Sequence, residues 1–257
     1  HIAFPYPWLV KSGNEEEFLE KSIKKLKKNI NFKKDVCGTM LETFQGWGAI
    51  FYPKKYIQLL AKICKKNDIL ICFDEMQAGF GRTGKNFGFQ HYEIFPDLIC
   101  CGKGMGGGVA LSGVIGKKKI MDLPEVGNMS STNSANPIAC NAGLAVIEEI
   151  EEKRLTENAK LKGELLHKNL LKIRQKFPNL INIYGKGLIA AIVFNQDYRN
   201  INRKLKKLVE LCMKDGLLLV YTGRESVKIG PPLTITREAI NEGCKILNKN
   251  ISSLFKQ

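Results

Sequence analysis

Two short apolar runs, Ile69–Phe73 and Asp97–Cys101, have strand length and are followed directly by polar, glycine-rich turns. Stretches of helical period lie around them, and buried strands covered by helices on both faces read in this way. The alternation continues along the chain. Phe18–Ile30 predicts a basic amphipathic helix, Val36–Thr43 a strand, Tyr56–Lys66 a helix and Ser112–Gly116 a further strand. Asn136–Phe177 predicts helix for most of its length, with a hinge-like interruption near Arg154. Such a pattern implies an α/β fold with a mostly parallel sheet.

After Pro178 the elements shorten. Leu188–Phe194, Leu217–Tyr221 and Ser226–Ile229 predict strands, and Arg203–Asp215 and Arg237–Leu254 predict helices. Residues 1–154 are therefore expected to form part of a large domain, and residues 155–257 a smaller C-terminal α/β domain. The chain opens at His1 on the stretch Phe4-Pro5-Tyr6-Pro7-Trp8, without an initiator Met, and reads as the middle of a longer protein.

The net charge of +15 raises nucleic-acid binding as a reading. Most of it is Lys spread along amphipathic segments such as 21–34, 54–66 and 160–176, which solvated helix faces explain. No basic motif interleaved with aromatics and no metal-ligand spacing accompanies it, so neither nucleic acid nor a metal is expected. No apolar run approaches bilayer length, so no membrane partner is expected. The eight cysteines sit mostly inside hydrophobic runs and form no CxxC pair. Buried, reduced thiols of a cytoplasmic protein account for them.

Two segments carry chemistry. In Asp74-Glu75-Met76-Gln77-Ala78-Gly79-Phe80-Gly81-Arg82-Thr83-Gly84, an acid ends a buried strand, the place where open α/β sheets bind ligands. In Cys101-Gly102-Lys103-Gly104-Met105-Gly106-Gly107-Gly108, a lysine follows an apolar strand inside a glycine-rich turn that lets a bulky group approach its amine. Each alone has a bland explanation, a capping acid or an exposed loop lysine. Together, and in this order, they resemble the class III (ornithine aminotransferase-like) family of fold-type I pyridoxal-phosphate enzymes. Further elements extend the resemblance along the chain: Glu42-Thr43-Phe44-Gln45-Gly46 (with Thr43 where Pro is usual), Ser130–Pro137, Gly185-Lys186-Gly187-Leu188 and Lys228-Ile229-Gly230-Pro231-Pro232-Leu233.

The resemblance implies a fold-type I transferase that moves an amino group from an amine or amino acid to a 2-oxo acid, with pyridoxal 5'-phosphate as cofactor. Lys103 would form the Schiff base and shuttle a proton at the substrate α-carbon. Asp74 would hold the protonated pyridine nitrogen and so keep the ring an electron sink. Met76 would pack on one ring face and Gln77 would bond the ring hydroxyl. Ser131 and Thr132 would contact the phosphate of the other subunit in a homodimer with shared active sites. Read locally, Thr132 is also a candidate N-cap for the helix near Asn136. Glu42 is a candidate for the same site or an ordinary strand-end acid.

Two departures bear on substrate. Where many relatives carry Glu after Gln-Gly and Arg before x-x-Pro-Pro-Leu, this chain has Trp47 and Lys228. Lys keeps the charge but not the planar fork that grips a carboxylate, and Trp47 removes the acid that would neutralise the cation. Arg224 is a candidate to supply the fork. The family's N-terminal part, with a phosphate-binding turn and a ring-stacking aromatic, is expected to lie outside this chain. Rival readings are an aminomutase, racemase or decarboxylase of the same family, or a non-catalytic basic interaction protein descended from it. Retention of Lys103, Asp74 and Gln77 together argues against the last.

Overall fold

The structure, a computed structural model, describes residues 1–255. In chain order its strands are β1 (Gly38–Glu42), β2 (Phe44–Gln45), β3 (Ile50–Phe51), β4 (Leu70–Asp74), β5 (Leu98–Cys101), β6 (Gly113–Gly116), β7 (Ile181–Lys186), β8 (Ile189–Phe194), β9 (Val220–Tyr221) and β10 (Ser226–Ile229). The helices are α1 (Glu15–Lys27), α2 (Phe32–Asp35), α3 (Lys54–Lys66), α4 (Lys118–Met121), α5 (Pro137–Glu152), α6 (Leu155–Lys176), α7 (Ile201–Lys214) and α8 (Arg237–Leu254). Two compact units result. The first holds His1–Thr43, Tyr52–Phe80 and Phe87–Glu151; the second holds Phe44–Phe51, Gly81–Asn86 and the chain from Glu152 onward.

In the first unit the sheet order is β1-β4-β5-β6. The first three strands are parallel and β6 is antiparallel, so the expected mostly parallel sheet carries one reversed edge strand. Along β4, Ile71 and Phe73 face inward and the alternation continues into buried Glu75. Helix α3 packs on β4, and its stripe Tyr56, Ile57, Leu60 and Cys64 is buried. Helix α1 starts three residues before the expected Phe18, because Glu15, Glu16 and Glu17 suit a helix N-terminus and Lys24, Lys25 and Lys27 its C-terminus.

The long helical stretch breaks at Arg154, which adopts a left-handed conformation with φ of 48°. Helix α5 is capped by Asn136, whose Oδ1 accepts the N–H of Ile138 at 2.9 Å, with Pro137 as the first helical residue. Thr132 lies four residues earlier and is not the cap.

In the second unit a four-stranded antiparallel sheet runs β7-β8-β10-β9. Every residue of β8 is buried. Helices α6 and α8 pack together, as do α7 and α8. Their inner faces supply Ala159, Leu166 and Leu170, Leu205 and Leu208, and Leu247 and Ile251 to the core, against Ile181, Ala190 and Ile192 of the sheet. Each such Leu or Ile contributes roughly 1.5–3 kcal/mol on burial. Strand β7 and the two-residue pair β2–β3 are absent from the elements expected from sequence.

The glycine-rich segment 81–86 is fastened within this unit. Arg82 Nη1 donates to the Leu188 carbonyl at 2.9 Å and to that of Pro231. Gly84 is left-handed (φ of 80°), and a Cβ there would lie 3.1 Å from Lys160 Cα, so a tight turn and a close approach coincide.

Candidate active site

In the first unit, three parallel strands bring their C-terminal ends into line. Glu42 of β1 is paired with Asp74 of β4, and Asp74 with Cys100 of β5. Parallel strands all finish at one edge, so residues far apart in sequence converge there. Asp74 is half-buried, and one of its carboxylate oxygens, Oδ1, accepts the Met76 N–H at 2.9 Å. That bond closes a small turn which carries Met76 and Gln77, both half-buried, beyond the strand end. The Glu75 N–H donates across to the Cys100 carbonyl at 2.9 Å, tying this turn to β5.

Lys103 stands two residues past β5. It opens a short 3-10 turn, Lys103–Gly106, is exposed, and has φ of 46°. A left-handed non-glycine residue is held by its surroundings at a conformational cost of about 1–3 kcal/mol, and such residues cluster at functional sites. Gly102 before it has no room to spare: a Cβ there would run into the Met76 sulfur and come within 3.6 Å of Ser112 Cβ. The lysine turn of β5 and the acid turn of β4 are therefore packed side by side through Gly102 and Met76.

Ser131 and Thr132 lie on an exposed loop. Ser131 and Ser134 share three hydrogen bonds: the Ser131 N–H donates to Ser134 Oγ at 2.8 Å, the two hydroxyls lie 3.1 Å apart, and the Ser134 N–H donates to the Ser131 carbonyl at 2.9 Å. Ser131 also lines an open cavity of about 380 Å³ with Val109–Ser112 and Asn136. The hydrogen bonds between Ser131 and Ser134 stay within this loop.

Glu75 is a residue to which the sequence reading assigns no role. It is fully buried, and its carboxylate accepts the N–H groups of Gly88 (2.7 Å) and Phe89 (2.8 Å) and the Thr43 hydroxyl. Burial pushes its pKa above the usual carboxylate range, against the pull of those donors. The alternation Ile71, Phe73, Glu75 is the sequence signal that places it on the inner face.

In the second unit Trp47, Arg224 and Lys228 come together. The Arg224 guanidinium lies 4.3 Å from the centroid of the Trp47 ring. Lys228 Nζ donates to the Gly46 carbonyl at 3.3 Å, and Ser226 Oγ donates to that of Trp47 at 2.8 Å. Two cations thus flank one short peptide segment, and the aromatic face takes part of the charge of one of them.

A cofactor with an aldehyde, a basic ring nitrogen and an apolar ring needs an accessible amine, a carboxylate and an apolar neighbour. Lys103, Asp74 and Met76 supply these donor types on adjoining turns of β4 and β5, so the residues fit pyridoxal phosphate.

Comparison with known proteins gives the family. The model of the class-III aminotransferases matches residues 1–251. Acetylornithine aminotransferase from Synechocystis sp. is 37% identical over 221 residues, 85% of this chain and 51% of the relative. Leucine/methionine racemase from Thermococcus litoralis is 36% identical over 224 residues, 85% of this chain and 50% of the relative. Among solved structures, ornithine aminotransferase from Plasmodium yoelii superposes with a TM-score of 0.82 at 30% identity, covering 95% of this chain and 62% of its own. The chain spans about half the length of these sequence relatives. A match along nearly the whole chain, together with these relatives, places it: the chain belongs to the class-III aminotransferase family.

Proposed function

We propose that the protein is a pyridoxal-phosphate-dependent transaminase that moves an amino group from an amine or amino acid to a 2-oxo acid. The observation that carries this reading is the pairing of Asp74 and Lys103 on adjoining strand-end turns, in a chain whose family uses that chemistry. In the same reading, residues 1–154 belong to the large cofactor-binding domain and residues 155–257 to the small domain. Support for this is that the two compact units divide near Glu152, with Phe44–Phe51 and Gly81–Asn86 joining the second.

When bound, pyridoxal phosphate supplies an electron sink for the carbanion left by loss of the α-proton. Lys103 would hold the cofactor through its Nζ, and the same Nζ would take the α-proton and return it as general base and acid. The exposure of Lys103 leaves Nζ open to substrate, and the left-handed backbone fixes where the side chain starts. Asp74 keeps one carboxylate oxygen on the Met76 N–H, and its charge would hold the ring nitrogen of the bound cofactor. Met76 supplies an apolar face, Gln77 bonds the ring hydroxyl, and Ser131 and Thr132 hold the phosphate across a homodimer. Glu42, in register with Asp74, borders the same edge.

Lys228 and Arg224 are assigned to the carboxylate of the acceptor, on the ground that two cations converge beside Trp47. A reducing compartment such as the cytoplasm suits eight cysteines that form no disulfide. No helix among the described residues is long and apolar enough to cross a membrane.

The test is Lys103→Ala in the whole protein. It should take up pyridoxal phosphate without a borohydride-reducible bond and lose all turnover with a panel of amino donors and pyruvate or 2-oxoglutarate. Full activity in that variant would refute the assignment. Racemisation of an amino acid by the parent without any need for a 2-oxo acid would move the protein to the racemase branch.

A further inference from the structure

Glu75 follows Asp74 in the chain and has no exposed surface. Burying a carboxylate without partners is costly, and here three donors meet it: the Thr43 hydroxyl and the N–H groups of Gly88 and Phe89. Its backbone is pinned as well. The Glu75 N–H goes to the Cys100 carbonyl and the Glu75 carbonyl takes the Gly79 N–H, both at 2.9 Å. The donors are themselves held. Tyr92 donates its hydroxyl to the Thr43 carbonyl. At position 88 there is room only for glycine, since a Cβ would lie 2.6 Å from Thr43 Cγ2 and 2.8 Å from Ala78 Cβ. The residues between these fixed points are Met76, Gln77 and Ala78, and the residue just before them is Asp74.

Thr43 also stands where proline is usual in the family that the sequence resembles, and proline has no hydroxyl to donate. In this chain the Thr43 hydroxyl supplies the third donor to Glu75. We propose that Thr43 and Glu75 are positioning residues for Asp74, the clamped Glu75 carboxylate fixing the turn through which Asp74, Met76 and Gln77 meet the cofactor. The inference rests on the cofactor assignment above. A buried charge-assisted network of this kind holds geometry because any displacement leaves a charge unpaired.

Thr43→Val removes the hydroxyl and little else. In the whole protein it should weaken binding of pyridoxal phosphate to the apoprotein, read by fluorescence titration, by about tenfold, the scale of one lost hydrogen bond to a charged group. It should lower kcat by a similar factor and leave the amino-donor KM near the parent value. Thr43→Ser should restore both quantities. If Thr43→Val yields no folded protein, Thr43→Cys decides: a thiol is a weak donor, and its values should fall between those of parent and loss. A Thr43→Val or Thr43→Cys protein that only melts earlier, with cofactor affinity and kcat unchanged, overturns the inference, as does a Thr43→Ser protein without rescue. A parent protein that takes up no cofactor overturns the transaminase reading and this inference together. A parent that takes it up beside an unaffected Thr43→Val overturns only the inference.

Discussion

The two sheets differ in where their strands end. In the first unit β1, β4 and β5 run the same way, so Glu42, Asp74 and the turn of Lys103 finish at one edge. In the second unit neighbouring strands are antiparallel, so successive ends alternate between edges and β8 is apolar and buried throughout. A parallel sheet concentrates loop residues into one place without any residue being near another in sequence. An antiparallel sheet disperses them, and its value here is a well-packed core that carries the Trp47–Arg224–Lys228 cluster.

If that contrast is right, substitutions at the parallel strand ends should strike chemistry and those in the second unit should strike substrate preference or stability. The largest effect after loss of Lys103 belongs to Asp74. Asp74→Asn keeps size and removes charge, and should lower kcat by about 100-fold or more while the melting temperature stays near the parent's. Near-parent turnover would remove Asp74 from the cofactor site and break the contrast.

A smaller effect is expected at Lys228. Lys228→Met should raise the KM of the 2-oxo acid by about ten- to a hundredfold and leave the cofactor spectrum untouched. Lys228→Arg should keep or improve acceptor binding, because it restores a planar fork. An unchanged acceptor KM for Lys228→Met would pass the role to Arg224.

The smallest effect concerns pH and sits in the second unit. Burial holds the His167 imidazole below its ordinary value of 6.5, and its Nε2 has no hydrogen-bond partner among the described residues. The unfolded chain binds this proton more readily than the folded one. The contribution of His167 is therefore fully present above the unfolded value and is lost as pH falls through that value toward the depressed one. The loss is at most about 1.4 kcal/mol for each pH unit in that window. Urea midpoints of the parent at pH 7.5 and 5.5 should differ more than those of His167→Gln. Equal differences would show that other groups set the acid limit.

Much of this was readable in the residues because local and global signals agreed. Ser226–Ile229 and Arg237–Leu254 appear at their expected bounds, and the break at Arg154 falls where the periodicity fails. Strand β7 was not readable, because its alternation Ile181, Ile183 runs straight into Gly185-Lys186-Gly187, which signals a turn. The pair β2–β3 is two residues per strand, too short for any period to register. The reversal of β6 depends on its pairing with β5, which no local pattern encodes. At the candidate site, the strand-end position of Asp74 and the glycine-flanked turn of Lys103 were legible locally, whereas the roles proposed for them rest on the family resemblance. The clamp on Glu75 was not, since Thr43, Gly88 and Phe89 reach it only once β1, β4 and the 3-10 turn at Gly88–Tyr92 are packed.

The central claim is that the amine of Lys103 carries the cofactor. Borohydride reduction of the whole protein loaded with pyridoxal phosphate, followed by proteolysis and mass spectrometry, tests it directly. The account predicts one phosphopyridoxyl-bearing peptide, with the modification on Lys103. Specific labelling of a different lysine, or no labelled peptide from a protein that binds the cofactor, would contradict it.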